Sequence, residues 1–241
     1  MALNYTTYVA QLQNLMAISS ASGDYTSFQT FLPGCIDYAE QRLYRELDLL
    51  ATRVTDSTTQ VSSGNRNFTL PTTTGTFLVV EEINIISSAG QTAASGTRNP
   101  LTFTSREFID MYAPASTANT GTPEYAAMVS NTAVILGPAP DGPYVAEVIG
   151  TQRPTPLAST NSSTILTQML PDLFIAASMV FATGYQRDFG SQSDTPQASA
   201  SWESQYQLLK QSANIEEVRK FYRGDAWTSK QPSPVAQPPR V

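Results

Sequence analysis

The only adjacent carboxylates in the middle of the chain are Glu81 and Glu82. Paired carboxylates are the usual equipment of general acid–base work and of glycoside hydrolysis. These two sit inside Phe77–Ile86 (FLVVEEINII), the strongest strand signal in the sequence. Neighbours on a regular strand point to opposite faces, so this pair does not share one substrate as acid and base. The chain has no histidine, which removes the commonest general base, the Ser-His-Asp arrangement and most transition-metal sites. Its single cysteine, Cys35, makes neither an internal disulfide nor a thiolate cluster. On the apolar side of a predicted helix, Cys35 reads as a small buried hydrophobe. No GxxxxGK loop occurs, and no GxGxxG follows a strand,. Catalytic, cofactor-binding and metal-binding residues are all expected to be none.

Two further groupings hold residue types that bind ligands. Phe221, Tyr222 and Trp227 lie among Arg219, Lys220 and Arg223, a mixture of rings and cations of the kind that stacks single-stranded nucleic acid. The competing reading is a helix end with the cations its dipole favours, followed by aromatics that anchor a tail. A net charge of −6 works against non-specific capture of nucleic acid or an anionic membrane, and so favours the second reading. Tyr38, Tyr44, Arg42 and Arg45 share one helical segment, where a packed helix with a polar outer face accounts for them.

Positioning these residues falls to elements whose period changes twice. Tyr5, Tyr8, Val9, Leu12, Leu15 and Met16 recur at helical spacing, with Asn4 as the cap,. A second stripe, from Phe28 through Cys35, Ile36, Ala39 and Leu43 to Leu50, is interrupted by Pro33-Gly34, where a kink or a fresh start is expected,. Arg42 and Glu46 are four apart on its polar side, a spacing that contributes only a few tenths of a kcal/mol. From Ala51 to Thr160 the period is two. Arg66–Leu70, Phe77–Ile86 and Leu101–Thr104 read as strands, and Ser105–Tyr112 as a short helix with Ser105 as cap and Phe108 as a buried contact. Pro123–Val129, Ala133–Leu136 and Tyr144–Thr151 then read as a meander,. The Gly- and Ser-rich stretch Ser87–Gly96 reads as a mobile loop.

Helices resume at Leu170-Pro171-Asp172, with proline in a first-turn position and an acid at the positive end of the dipole,. Leu173–Phe181 is apolar on nearly every face and is expected to be enclosed by other helices. Gly190–Thr195 reads as a polar loop. A long last helix from Pro196 to Arg223 shows Trp202, Tyr206, Leu209 and Ala213 on one face, with Gly224 closing it,. Asp225–Val241 holds four prolines and is expected to be extended, off its own chain.

The expected fold class is α+β: a helical bundle of about four helices split by an inserted antiparallel β-rich domain, with an extended C-terminal tail. The expected domains are residues 1–50 with 161–223, residues 51–160, and the Pro-rich residues 224–241. Charged residues are 14% of the 241, against about a quarter in typical domains, and Ser, Thr, Gln and Asn make up the difference. Such surfaces suit coverage by neighbours. MALNYTTYVAQLQ has neither a basic start nor an apolar run, and Leu173–Ala182 falls short of the ~20 residues that span a bilayer. A soluble protein made in a cytoplasm is expected.

The segments IDYAEQRLYRELDLL, RNFTLP, FLVVEEINI, GTPEYAAMVSNTAVILGPAPDGPYVAEVIG and LPDLFIAASMVFATGYQRD follow in this order, ahead of the helix bearing Trp202 and Tyr206. Together they resemble the head-to-tail adaptor (head-completion or connector) proteins of tailed, short-tailed bacteriophages. The resemblance spans Tyr25 to Gly224 and departs at the Ser87–Gly96 loop and after Gly224. It implies a structural virion protein at the head–tail interface, made in the host bacterial cytoplasm, with no catalytic residues and no cofactor. It further implies a homo-oligomeric ring, usually of twelve copies, docked under the portal protein after packaging. Such a ring extends the DNA channel and offers a platform to the tail or nozzle protein; genomic DNA passes without sequence-specific binding, and no membrane is involved. C-terminal segments of such proteins clasp the portal, which makes Phe221, Tyr222, Trp227 and Val235 the expected portal-binding residues. A soluble β-sandwich that binds or hydrolyses carbohydrate, and another tail or baseplate protein, are the alternatives.

Overall fold

The computed structural model describes residues 3–20, 23–87, 93–114, 120–186 and 197–224. Its first helix, α1 (Tyr5–Leu15), starts at a capping box in which Asn4 Oδ1 accepts from the Thr7 amide and Thr7 Oγ1 accepts from the Asn4 amide. The helix buries Tyr8 and Leu12. The second, α2 (Asp24–Glu46), runs through Pro33-Gly34 without the expected fresh start. Both residues face solvent, so the carbonyl that Pro33 leaves without a donor is open to water. On the inner side Leu32, Cys35 and Ile36 keep the apolar stripe continuous.

After a short 3-10 turn (Leu50–Thr52) the chain enters its strands. β1 (Arg53–Val61), β3 (Gly75–Ser87), β4 (Thr97–Pro100) and β10 (Tyr144–Pro154) form one antiparallel sheet in the order β1-β10-β3-β4. β2 (Asn67–Thr69), β5 (Thr102–Phe103), β7 (Tyr125–Met128) and β8 (Ala133–Gly137) form a second, in the order β2-β8-β7-β5, with β5 parallel to β7. β6 (Thr120–Gly121) and β9 (Ala139–Pro140) pair as a small third. The expected meander is therefore divided. β7 and β8 make a hairpin around Ser130-Asn131, while β10 crosses to the centre of the other sheet. Its residues Ala146 and Val148 are fully buried there, and no local turn signal reports that choice. β1 and β4 carry too few large apolar residues for an alternating pattern to mark them as strands,.

The helix α3 (Arg106–Tyr112) is capped by Ser105, whose Oγ accepts from the Phe108 amide. Ile109, not Phe108, makes its buried contact; Phe108 is 42% exposed. The strict alternation expected around Glu81-Glu82 also fails. β3 carries irregularities opposite Ile149/Gly150 and Thr151/Gln152. Each bulge changes the face that the next side chains take, so Leu78 with Val79 and Glu81 with Glu82 are exposed side by side. Gly150 permits this approach, because a Cβ there would lie 2.1 Å from the Val79 carbonyl oxygen.

From β10 the chain returns through Leu157 to α4 (Ile165–Met169), α5 (Pro171–Gln186) and α6 (Gln197–Gly224). α4, with its own Thr164/Thr167 capping box, was not legible in the sequence. One apolar cluster unites α1, α2, α4, α5 and α6 around Tyr8, Phe28, Leu43, Leu166, Phe174 and Tyr206. The Tyr8 ring stacks on Phe174 at 4.8 Å between centroids, and its hydroxyl lies 2.6 Å from Ser178 Oγ. Cys35 is buried as expected, its thiol donating to the Ser178 carbonyl at 3.3 Å and pushed up to about 12 by burial. A second cluster, around Phe68, Phe77, Ile83, Leu136 and Val148, lies between the two larger sheets.

Candidate functional site at the junction of helices and sheets

Polar chemistry concentrates where the helices meet the sheets. Arg42, 15% exposed, forks onto Glu203 with Nη1–Oε2 at 2.8 Å and Nη2–Oε1 at 2.6 Å, and donates through Nε to Glu46 at 3.0 Å. Its guanidinium lies 4.0 Å above the Tyr206 ring. The Tyr206 hydroxyl and Lys210 Nζ both donate to the other Glu46 oxygen, at 2.9 and 2.8 Å. The Arg42 hydrogen bonds hold Glu203 down at about 2. Burial works to raise Glu46, and its bonds from Lys210, Arg42 and Tyr206 outweigh that and keep it low. A permanently charged arginine, doubly paired and stacked, has no proton to exchange. The arrangement is a clasp of α6 onto α2.

Two other carboxylates hold the chain crossings. Where the chain enters the sheets, the Leu50 amide donates to Glu217 Oε2 at 3.1 Å. Where it returns, the Leu157 amide donates to Glu40 Oε1 at 2.9 Å. Glu40 is 1% exposed and its Oε2 has no hydrogen-bond partner. Burial lifts its carboxyl to about 7, against the opposing pull of the Leu157 amide and Arg153. Arg153 itself pairs with Asp37 at 3.0 Å. Sequence reasoning found Arg42 with Glu46 but neither Glu40 nor Glu217. An acid in an otherwise apolar helical stripe (Ile36, Ala39, Glu40, Leu43) is the signal that would have marked Glu40.

Between these crossings a cleft of about 450 Å³ is lined by Tyr44, Leu47, Asp48, Leu78, Val79 and Gln152 among others. Gln152 is buried and its Nε2 is without a partner. Further apolar surface is exposed on both parts of the molecule. Phe108 and Tyr112 stack at 6.0 Å and both meet Tyr125 edge-on, beside exposed Phe103 and Met111. On α6, Leu208, Ile215 and Val218 share the outer face, opposite Tyr206 and Ala213,. Tyr38 stacks on Phe181 at 4.7 Å and Tyr44 lines the cleft.

Of the residues expected to bind the portal, Phe221 and Tyr222 fall in the last turn of α6, while Trp227 and Val235 lie outside the described residues. Among the described residues no group of three or more Cys, Asp or Glu is placed to hold a metal ion, and no helix is long and apolar enough to cross a membrane. The junction thus offers clasps, pins and docking surface. The family model of the SU10 adaptor protein matches residues 3–236, nearly the whole chain. The chain belongs to the SU10 adaptor protein family. It is a structural adaptor protein of a bacteriophage, a virion component that meets other head and tail proteins. Comparison with curated protein sequences finds no match.

Proposed function

We propose that this adaptor assembles as a homo-oligomeric ring of about twelve copies beneath the portal protein after genome packaging, the arrangement its head-to-tail resemblance implies. The ring continues the DNA channel and presents a platform to the tail or nozzle protein. What carries this reading beyond the family match is the exposed apolar surface on α3 and α6, although both cores are closed without it. Large contiguous apolar patches on a soluble protein mark contacts with other proteins. A net charge of −6 per copy suits a channel through which DNA slides without being held, since acidic walls do not retain phosphates.

In the same reading the segment after α6 clasps a portal subunit, with Trp227 as the anchor and Phe221 and Tyr222 at its root. Aromatic anchors in pockets commonly carry about 2 kcal/mol or more of binding, and a ring multiplies even a weak contact. The test compares the full-length chain with one stopped at Gly224, measuring binding to assembled portal and completion of virions. Loss of binding on truncation is expected. Unchanged affinity and unchanged virion yield would remove the segment from the docking contact.

A further inference from the structure

Only one oxygen of the enclosed Glu40 carboxyl, Oε1, has a partner, the Leu157 amide at 2.9 Å. Asp37 stands three residues earlier on α2, at a neighbouring position of the same helical face,. Its side chain is 55% exposed. Asp37 Oδ1 accepts from Arg153 Nη2 at 3.0 Å, and Oδ2 accepts from Gln41 Nε2 at 2.6 Å. Arg153 comes from the end of β10, where it is the register partner of Thr76. One guanidinium from the sheet therefore stands before two carboxylates of one helix, one at the rim and one in the interior.

The titratable groups that bear on Glu40 are Asp37 and Tyr44 on α2, Arg153 on β10 and Tyr8 on α1. Burial pushes both tyrosine hydroxyls up, so neither is charged near neutrality, and Arg153 is the one cation among them. Among the described residues Arg153 places one of its five N–H donors, the one on Asp37,.

We propose that Arg153 is a two-position arm, holding Asp37 while Glu40 keeps a proton and turning inward onto Glu40 Oε2 when that proton leaves. The two carboxylates differ in what they lose without it. An exposed ion pair contributes little, because water replaces either partner. Asp37 also keeps Gln41 when the arm departs. A charged carboxylate buried with a single hydrogen bond is far costlier, and a cation that pairs with it relieves that cost. The balance turns inward once Glu40 ionises, which for a carboxyl at about 7 happens near neutral pH. One proton passes to solvent and no covalent bond changes. The turn ties β10 to the interior of α2 instead of its rim, and it takes a cation out of the junction cleft that Arg153 lines. The device belongs to the single chain and does not rest on the ring reading above.

The experiment determines the structure of the full-length chain at pH 5.5 and pH 9, as wild type and as Glu40→Gln. Glutamine keeps an oxygen for the Leu157 amide and never ionises. Arg153 is expected on Asp37 at pH 5.5 and within hydrogen-bond distance of Glu40 Oε2 at pH 9, and on Asp37 at both in Glu40→Gln. An arginine that stays on Asp37 at pH 9, or that also moves in Glu40→Gln, would overturn the proposal. Thermal melts give a second readout in solution. Asp37→Asn is expected to lower Tm by about 1–3 °C at pH 5.5 and not at pH 9. With Arg153→Gln already in place its effect should be the same at both. A pH dependence that survives Arg153→Gln would be plain repulsion between Asp37 and Glu40, and would count against the arm.

Discussion

At the scale of single residues, Glu40 sets an expectation about pH. Its carboxyl stands at about 7 in the folded chain against about 4.3 when unfolded. Between those values the folded chain holds a proton that the unfolded chain has released. The stability it contributes is therefore whole below about pH 4.3 and lost as pH rises toward 7, about 4 kcal/mol in all. Glu203, held at about 2 by Arg42, runs the other way, and its contribution is lost as pH falls below the ordinary carboxylate range. Thermal melts across a pH series should show Glu40→Gln abolishing the decline between pH 5 and 8 while leaving the acid limb in place. Parallel decline in both proteins would put the proton elsewhere. Arg42 gives a second expectation. A half-buried, doubly paired arginine lies between the ~0–1 kcal/mol of an exposed pair and the ~3–5 kcal/mol lost when a buried pair is broken. Arg42→Ala should cost about 2 kcal/mol in denaturant melts. Much of that cost should vanish in the Glu203→Gln background, where the partner charge is already gone. From sequence, Cys35 was legible because its neighbours at helical spacing are apolar. Arg42 was misjudged because its main partner stands on α6, at a separation no local spacing reports.

At the scale of elements, local rules were reliable for helices and weak for the sheets. Asn4 and Ser105 were legible as caps because a cap satisfies amides within the next turn. Pro33 looked like a break because its cost is local, and α2 absorbs that cost by turning Pro33 to solvent while apolar burial continues beneath. Strand existence was readable where Val and Ile cluster, as in β3 and β10, but pairing was not. The placement of β10 between β1 and β3 depends on burial from both sides. The bulges of β3 depend on Gly150, one residue in a partner strand that reads as an ordinary interruption. Gly150→Ala should therefore cost about 1–3 kcal/mol, because backbone and not a flexible side chain stands in the way,. Gly142→Ala, with open space around it, should stay within about 0.5 kcal/mol in the same melts. Equal effects at the two positions would mean that β3 does not approach β10 as closely as described.

At the scale of the whole molecule, the helical period stops near Leu50 and resumes near Leu170, which is why a helical domain split by an inserted β-rich domain is expected. Among the described residues one buried cluster gathers the helices, joined by Leu157 from beyond the last strand, and two lie in the strand region, the smaller around Ile109, Ala127 and Ile135. Portal and tail contacts were not legible in the same way, because they depend on surfaces that no intrachain period records. The crossings between the clusters are narrow and pinned. Glu217 holds the entering Leu50 and Glu40 the returning Leu157, so both pins belong to the helical side. Arg53 and Thr151 are register partners at the start of β1 and near the end of β10, which sets the two ends of the insertion within about 5.5 Å of each other. We infer that the helical cluster folds by itself. Excising Arg53–Gln152 and bridging the gap with a short Gly/Ser linker should leave a soluble protein with a helical circular-dichroism spectrum and a cooperative melt. The linker adds little closure entropy because the ends already meet. The clasp of Arg42 on Glu203 and both crossing pins survive the excision, so its melt should still respond to Arg42→Ala. A remnant that is unfolded by circular dichroism would mean that the sheets complete the helical core, and that the chain is one cooperative unit despite its separate clusters.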